Sequence, residues 1–279
     1  MRSFAYLSLL IMAGVFSPPI AAAHEYWLAP SSYNAPVGQT LAVQAYVGSD
    51  FMGELRPFAT TRTIRLEVQD KVRKDVKSQA INGDLDLTHL TVEDEGGIVV
   101  AFETNFVPVE LPPEKFDEYL RKEGLEGPLK AREALGTAVG PGRERYLRCA
   151  KTWIAGSDGS RLQKPFGMPL EIIPRSDPLI PGKLTVQVLY NAQPIEGILV
   201  KAWNQPLANG AVPRDQMARD PVQPVAQART GKDGLSVLQL DGTGEWLLSA
   251  VHMQPSTDKQ AADWESRWAS LTFARAPKK

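Results

Sequence analysis

Along most of this chain apolar and polar residues alternate in short runs broken by Pro and Gly, the signature of half-buried strands and turns. Thr40 to Val47 places Leu41, Val43, Ala45 and Val47 on one face. Thr63 to Gln69 repeats the pattern through Ile64, Leu66 and Val68, and Gly97 to Thr104 carries the apolar run Ile98 to Phe102. Further strands are predicted at Trp27-Leu28, Tyr146 to Trp153, Leu184 to Tyr190, Gly197 to Trp203, Leu235 to Leu240, Trp246 to Met253 and Trp268 to Phe273. Residues 204–228 are rich in Pro, Gln and Ala without periodicity and read as a long loop. This spacing predicts a mainly β protein made of sandwiches. A helical period enters in one insertion, 113–136. Pro113 opens it near N1, Phe116, Tyr119 and Leu120 share a face, Gly124 stops the first helix and Gly136 the second.

Residues 1–23 follow another pattern. Arg2, the apolar stretch Phe4 to Phe16, the breaker Ser17-Pro18-Pro19 and the small residues Ala21-Ala22-Ala23 have the layout of a cleaved signal peptide. The stretch is short of the roughly 20 apolar residues that a membrane span needs, and no later segment is apolar enough. The mature chain is therefore expected in the periplasm without a transmembrane segment. The linker-like run Pro174 to Pro181 divides it into an N-terminal sandwich domain, 24–174, and a C-terminal sandwich domain, 175–279.

The 31 basic and 32 acidic residues give a formal charge of −1. Loss of Arg2 with the signal makes it one unit more negative. Such a balance offers nothing to attract nucleic acid or an anionic membrane. A single cysteine, Cys149, excludes an intrachain disulfide and sits in a strand-like run, where burial as a small apolar residue is expected. The six tryptophans are read as core.

Nucleophile elbow, phosphate-binding glycine loop and paired-cysteine metal motif are all lacking, so the chain reads as a non-enzyme. Its three histidines are His24, His89 and His252. Cleavage after Ala23 would make His24 the first residue, able to chelate a metal with both its α-amine and its ring Nδ1. His252 ends the strand that begins at Trp246, on the same face as Trp246, Leu248 and Ala250, while Met253 faces the other way. Asp263 and Glu265 follow across a loop, flanking Trp264. The expected metal site is thus His24 and His252, completed by Asp263, Glu265 or Met253. Nitrogen donors of this kind suit nickel, cobalt or copper. The plainer reading makes His252 a hydrogen-bonded strand-end histidine and His24 an incidental terminus. His89 reads as a surface residue, and Arg143, Arg145 and Arg148 as salt-bridge partners.

Ala23-His24-Glu25-Tyr26-Trp27-Leu28, Leu111-Pro112-Pro113-Glu114-Lys115-Phe116, Gly142-Arg143-Glu144-Arg145-Tyr146, Ala250-Val251-His252-Met253 and Asp263-Trp264-Glu265-Ser266 together resemble an exported bacterial family of unassigned function. Many of its members are labelled periplasmic components of cobalt or nickel uptake. The resemblance covers essentially the whole mature chain. It implies two β-sandwich modules, the second immunoglobulin- or transthyretin-like. It also implies capture of a transition-metal ion and transfer to a membrane importer or an outer-membrane receptor, with His24 and His252 on family motif positions. Two other readings stand beside it. One is a non-catalytic β-sandwich interaction module without metal. The other is a copper-dependent, oxidative polysaccharide-cleaving enzyme, which also uses an N-terminal histidine with a second one.

Overall fold

The computed structural model describes residues 24–275 apart from 137–138, 157–158 and 208–211. The predicted signal peptide, 1–23, lies outside the described residues. The architecture is the mainly β one expected, with two short helices inserted in its first half.

A nine-stranded sheet forms the middle layer. Its order runs from β14 (Ala226–Arg229) through β13 (Leu199–Gln205), β16 (Gly244–Pro255), β17 (Trp264–Arg275), β9 (Gly142–Gly156), β7 (Gly96–Thr104) and β4 (Thr63–Gln69) to β5 (Arg73–Asp75), with β8 (Val107–Leu111) paired to the start of β9. Neighbours are antiparallel except β9 and β17, which run parallel from Glu144 opposite Trp264 to Thr152 opposite Thr272. On one face lies the sheet of β1 (Glu25–Pro30), β2 (Thr40–Ser49), β3 (Met52–Arg56) and β6 (Asp86–Thr91). On the other lies the sheet of β10 (Leu170–Pro174), β11 (Gly182–Tyr190), β12 (Gln193–Pro194) and β15 (Leu235–Leu240).

Alternation along the central strands sorts side chains between these two layers. Val99, Ala101, Cys149, Val200, Leu248 and Leu271 pack under β10, β11 and β15. Ile98, Val100, Phe102, Ala150 and Ile154 pack under β1, β2 and β6. The predicted partition into separate domains, 24–174 and 175–279, therefore meets a sheet that crosses the division. The point 174/175 is the end of β10, which pairs with β11, and β17 joins β9. The structure is two sandwiches sharing one sheet.

Several strands are longer than their apolar runs. β9 begins at Gly142, where it pairs with Leu111 of β8, and β17 begins at Trp264, where it pairs with Glu144 of β9, so both ladders run through polar residues. Cys149 is buried as expected. The helices α1 (Pro113–Lys122) and α2 (Glu126–Glu133) match the insertion. Phe116 and Leu120 of α1 pack on Val251, Met253 and Trp268 of the central sheet. A Cβ on Gly142 would stand 2.0 Å from the Phe116 ring, so glycine there lets α1 seat.

Between β9 and β10 sits a fully buried ion pair, Lys151 Nζ to Glu171 Oε1 at 2.8 Å. Glu171 also accepts the backbone N–H groups of Phe166 and Gly167. Removing one partner of such a pair strands a charge in the core, and costs about 3–5 kcal/mol. Lys151→Ala is expected to lose that much in urea unfolding, and Lys151→Met combined with Glu171→Gln to recover at least half of it.

Candidate functional site

His24 leads into β1, which lies across the face of the central sheet that also carries the helices. Two hydrogen bonds fasten the strand there. The Arg148 guanidinium donates to the His24 carbonyl, and the Thr272 hydroxyl to the Leu28 carbonyl at 2.5 Å. The His24 ring is half-buried, with Nδ1 3.0 Å from Ser49 Oγ at the end of β2. Burial lowers its pKa below the usual histidine value; Glu25 opposes that shift, and Arg148, Lys122 and Arg56 add to it. The imidazole is therefore neutral at neutral pH, the form that ligates metals.

Beside it the chain builds a second polar centre. At the end of α1 a Schellman turn, with Leu125 N–H to Leu120 O and Gly124 N–H to Arg121 O, delivers Glu123 inward. Gly124 takes φ +65° there. Glu123 accepts from Lys201 of β13 at 2.5 Å, and Lys201 reaches Glu25 at 3.4 Å. All three side chains are at most 4% exposed. Burial and the neighbouring Glu25 push Glu123 up to about 7. A few residues along β9, Glu144 is wholly buried beneath α1. Its Oε1 accepts from Tyr119 Oη at 3.2 Å and from the Ser266 hydroxyl, while Oε2 has no partner among the described residues. Burial raises its pKa to about 7.

The remaining predicted ligands lie elsewhere. Register places His252 opposite Arg267, and Arg267 opposite Leu147, so these three share the face under β11. Arg148, whose guanidinium holds His24, pairs with Trp268 on the opposite face. The central sheet thus stands between His24 and His252. His252 packs on Tyr190, with ring centroids 4.6 Å apart, and burial lowers its pKa. Glu265 follows the loop after β16, as expected, as the second residue of β17, and shares His252's face, but its carboxylate is already occupied. It accepts from Arg145 at 2.7 Å, Arg267 at 2.9 Å and Gln254 at 2.8 Å. Against a burial effect in the other direction, these bonds hold its pKa near 2. Asp263 lies at the sheet's end, 3.9 Å from Arg143. Met253 faces the helices, because β16 continues unbroken to Pro255. His89 is exposed on β6, 3.5 Å from Asp86. Among the described residues no three His, Cys, Asp or Glu side chains gather as a metal-holding group.

Sequence reasoning missed Glu25, Glu123, Glu144 and Lys201. Alternation alone places Lys201 in line with the buried Trp203, which was the one available signal. Glu123 and Glu144 follow helical and polar stretches that read as solvated.

The fold and these centres define a mainly β sandwich protein with buried ionic groups beneath a helical insertion. The chain belongs to the family of a domain of unknown function, DUF4198, whose model matches residues 21–254. That match takes in His24 and His252 and stops before Asp263 and Glu265. No curated protein matches the chain. Among solved structures, the D0-D1 domain of Intimin is 12% identical over 90% of this chain and 97% of that one, at a TM-score of 0.20. The three N-terminal domains of the Hoc capsid protein of bacteriophage RB49 are 8% identical over 89% of this chain and 59% of theirs, at 0.19. Scores this low carry no inference. Among the described residues no helix is long and apolar enough to cross a membrane.

Glu144 makes stability depend on pH. An unfolded glutamate ionises near 4.5, whereas the folded one keeps its proton to about 7. Between those values unfolding releases a proton, so stability falls as pH rises and levels off above about 7. The loss is on the order of 3 kcal/mol. Glu144→Gln is expected to flatten this slope and to be more stable than the parent at pH 8, as read by urea unfolding at pH 5 and pH 8.

Proposed function

We propose that this protein is an exported, non-catalytic periplasmic binding protein that captures a divalent transition-metal ion as an accessory to metal uptake. Nickel or cobalt is the expected cargo, with copper a further one. The reading rests on His24. Its ring is neutral and half-buried at the start of β1, with Nδ1 turned toward Ser49. Cleavage after Ala23 would add the α-amine as a second donor, closing a chelate with Nδ1 once Ser49 releases it. A centre with only two protein donors leaves coordination positions for ligands of an importer or receptor, which suits transfer rather than storage. His252, Asp263 and Glu265 are left out of this site. His252 is across the sheet, Asp263 at its far end, and Glu265 neutralises two arginines.

A second reading, an interaction module without metal, is favoured by one observation: no metal-holding group of three acidic, His or Cys side chains forms among the described residues. Metal titration of protein beginning at His24, beside a version with one extra residue before it, separates the two. Binding of one ion only by the first is expected, abolished by His24→Ala. His252→Ala is expected to leave affinity within about twofold, since residues on opposite faces act independently. Absence of binding in both forms would leave the interaction module.

A further inference from the structure

A cleft of about 470 Å³ opens on the face of the central sheet that bears the helices. Lys201 and Trp203 of β13 floor it. Lys122, at the end of α1, and Asp50, in the turn between β2 and β3, stand in its walls with Gln223 and Gln227. The volume lies within the range of small-molecule sites.

One arrangement in this cleft calls for a ligand. Lys122 and Asp50 carry opposite charges on one cavity, yet neither side chain makes an ion pair or hydrogen bond among the described residues. The third charge, Lys201, is unavailable, being held by Glu123 and Glu25. Trp203 is 1% exposed, and its indole N–H, shut off from the cleft, has no hydrogen-bond partner among the described residues.

We propose that the cleft binds a small zwitterion of the α-amino-acid or dipeptide type, its carboxylate toward Lys122 and its ammonium toward Asp50. A simple anion leaves Asp50 facing like charge, and a simple cation does the same to Lys122. A molecule bearing both charges meets each with its opposite. The two glutamine amides remain for the ligand's own polar groups. His24 is not needed as a ligand, so this inference stands apart from the metal reading.

Isothermal calorimetry on metal-stripped mature protein tests it, with L-alanine and L-alanyl-L-alanine as probes and acetate and methylammonium as single-charge controls. Saturable binding of at least one zwitterion is expected, with neither control binding at the same concentration. Lys122→Gln and Asp50→Asn are each expected to weaken it by about tenfold, the loss of one charged contact. Asparagine is chosen because position 50 has φ +56°, which it tolerates. Circular dichroism and the thermal midpoint confirm that both variants fold. No saturable binding of either zwitterion, equal binding of a control, or undiminished binding by both variants would overturn the proposal.

Discussion

The parallel pairing of β9 with β17 is the constraint on which the rest of the molecule depends. It joins strands more than a hundred residues apart and makes two sandwiches share one sheet. Once that register is set, alternation decides the surroundings of every residue on the two strands. Arg148 and Trp268 go to the face of β1 and the helices, Arg145, Arg267 and Glu265 to the face of β11. A slip of one position in either strand would turn its side chains to the other face and part the arginines from their partners. The ionic partners on each face thus reinforce the register that places them.

The strands themselves were legible because alternation is a local property. Leu41 to Val47 and Trp246 to Met253 fall where their periods put them, and the burial of Cys149 and the face shared by His252 with Leu248 follow from the same counting. What could not be read was partnership. A linker-like run at 174–181 looks like a domain boundary whether or not a sheet passes beside it, and only the non-local pairing of β9 with β17 shows that one does. The same limit explains the ligand set. Asp263-Trp264-Glu265 has the composition of a loop, yet pairing with Glu144 and Arg145 draws Trp264 and Glu265 into β17 and buries the carboxylate. His24 and His252 are equally suggestive in sequence, and no local pattern tells which side of a sheet each will face.

Glu265 shows why proximity of an acid to a histidine does not make a site. To ligate a cation it would have to abandon Arg145 and Arg267, both largely buried, whose charges would then lack a counterion. Stranding buried charge costs several kcal/mol, which a metal bond would first have to offset. The guanidiniums also stack on Phe106, at 4.6 and 5.2 Å, and Arg267 on Tyr190, so the cluster works as a cross-strand clamp closing the end of this sandwich.

On the opposite face the electrostatics constrain what His24 can hold. Arg148, Lys122 and Arg56 all act on its ring in the direction that disfavours added positive charge, and Glu25, the opposing carboxylate, is engaged by Lys201. A hard dication bound mainly by charge would gain little in such a field. On the proposed reading, with His24 as the first residue, a metal would draw its affinity from covalent bonding to nitrogen, through the ring and the α-amine together. That requirement ranks copper above nickel and nickel above cobalt in intrinsic affinity, and disfavours manganese and magnesium. On the proposed metal reading, selection between the first three would fall to which ion is supplied and which ligands a receiving partner adds, rather than to the donors this chain provides.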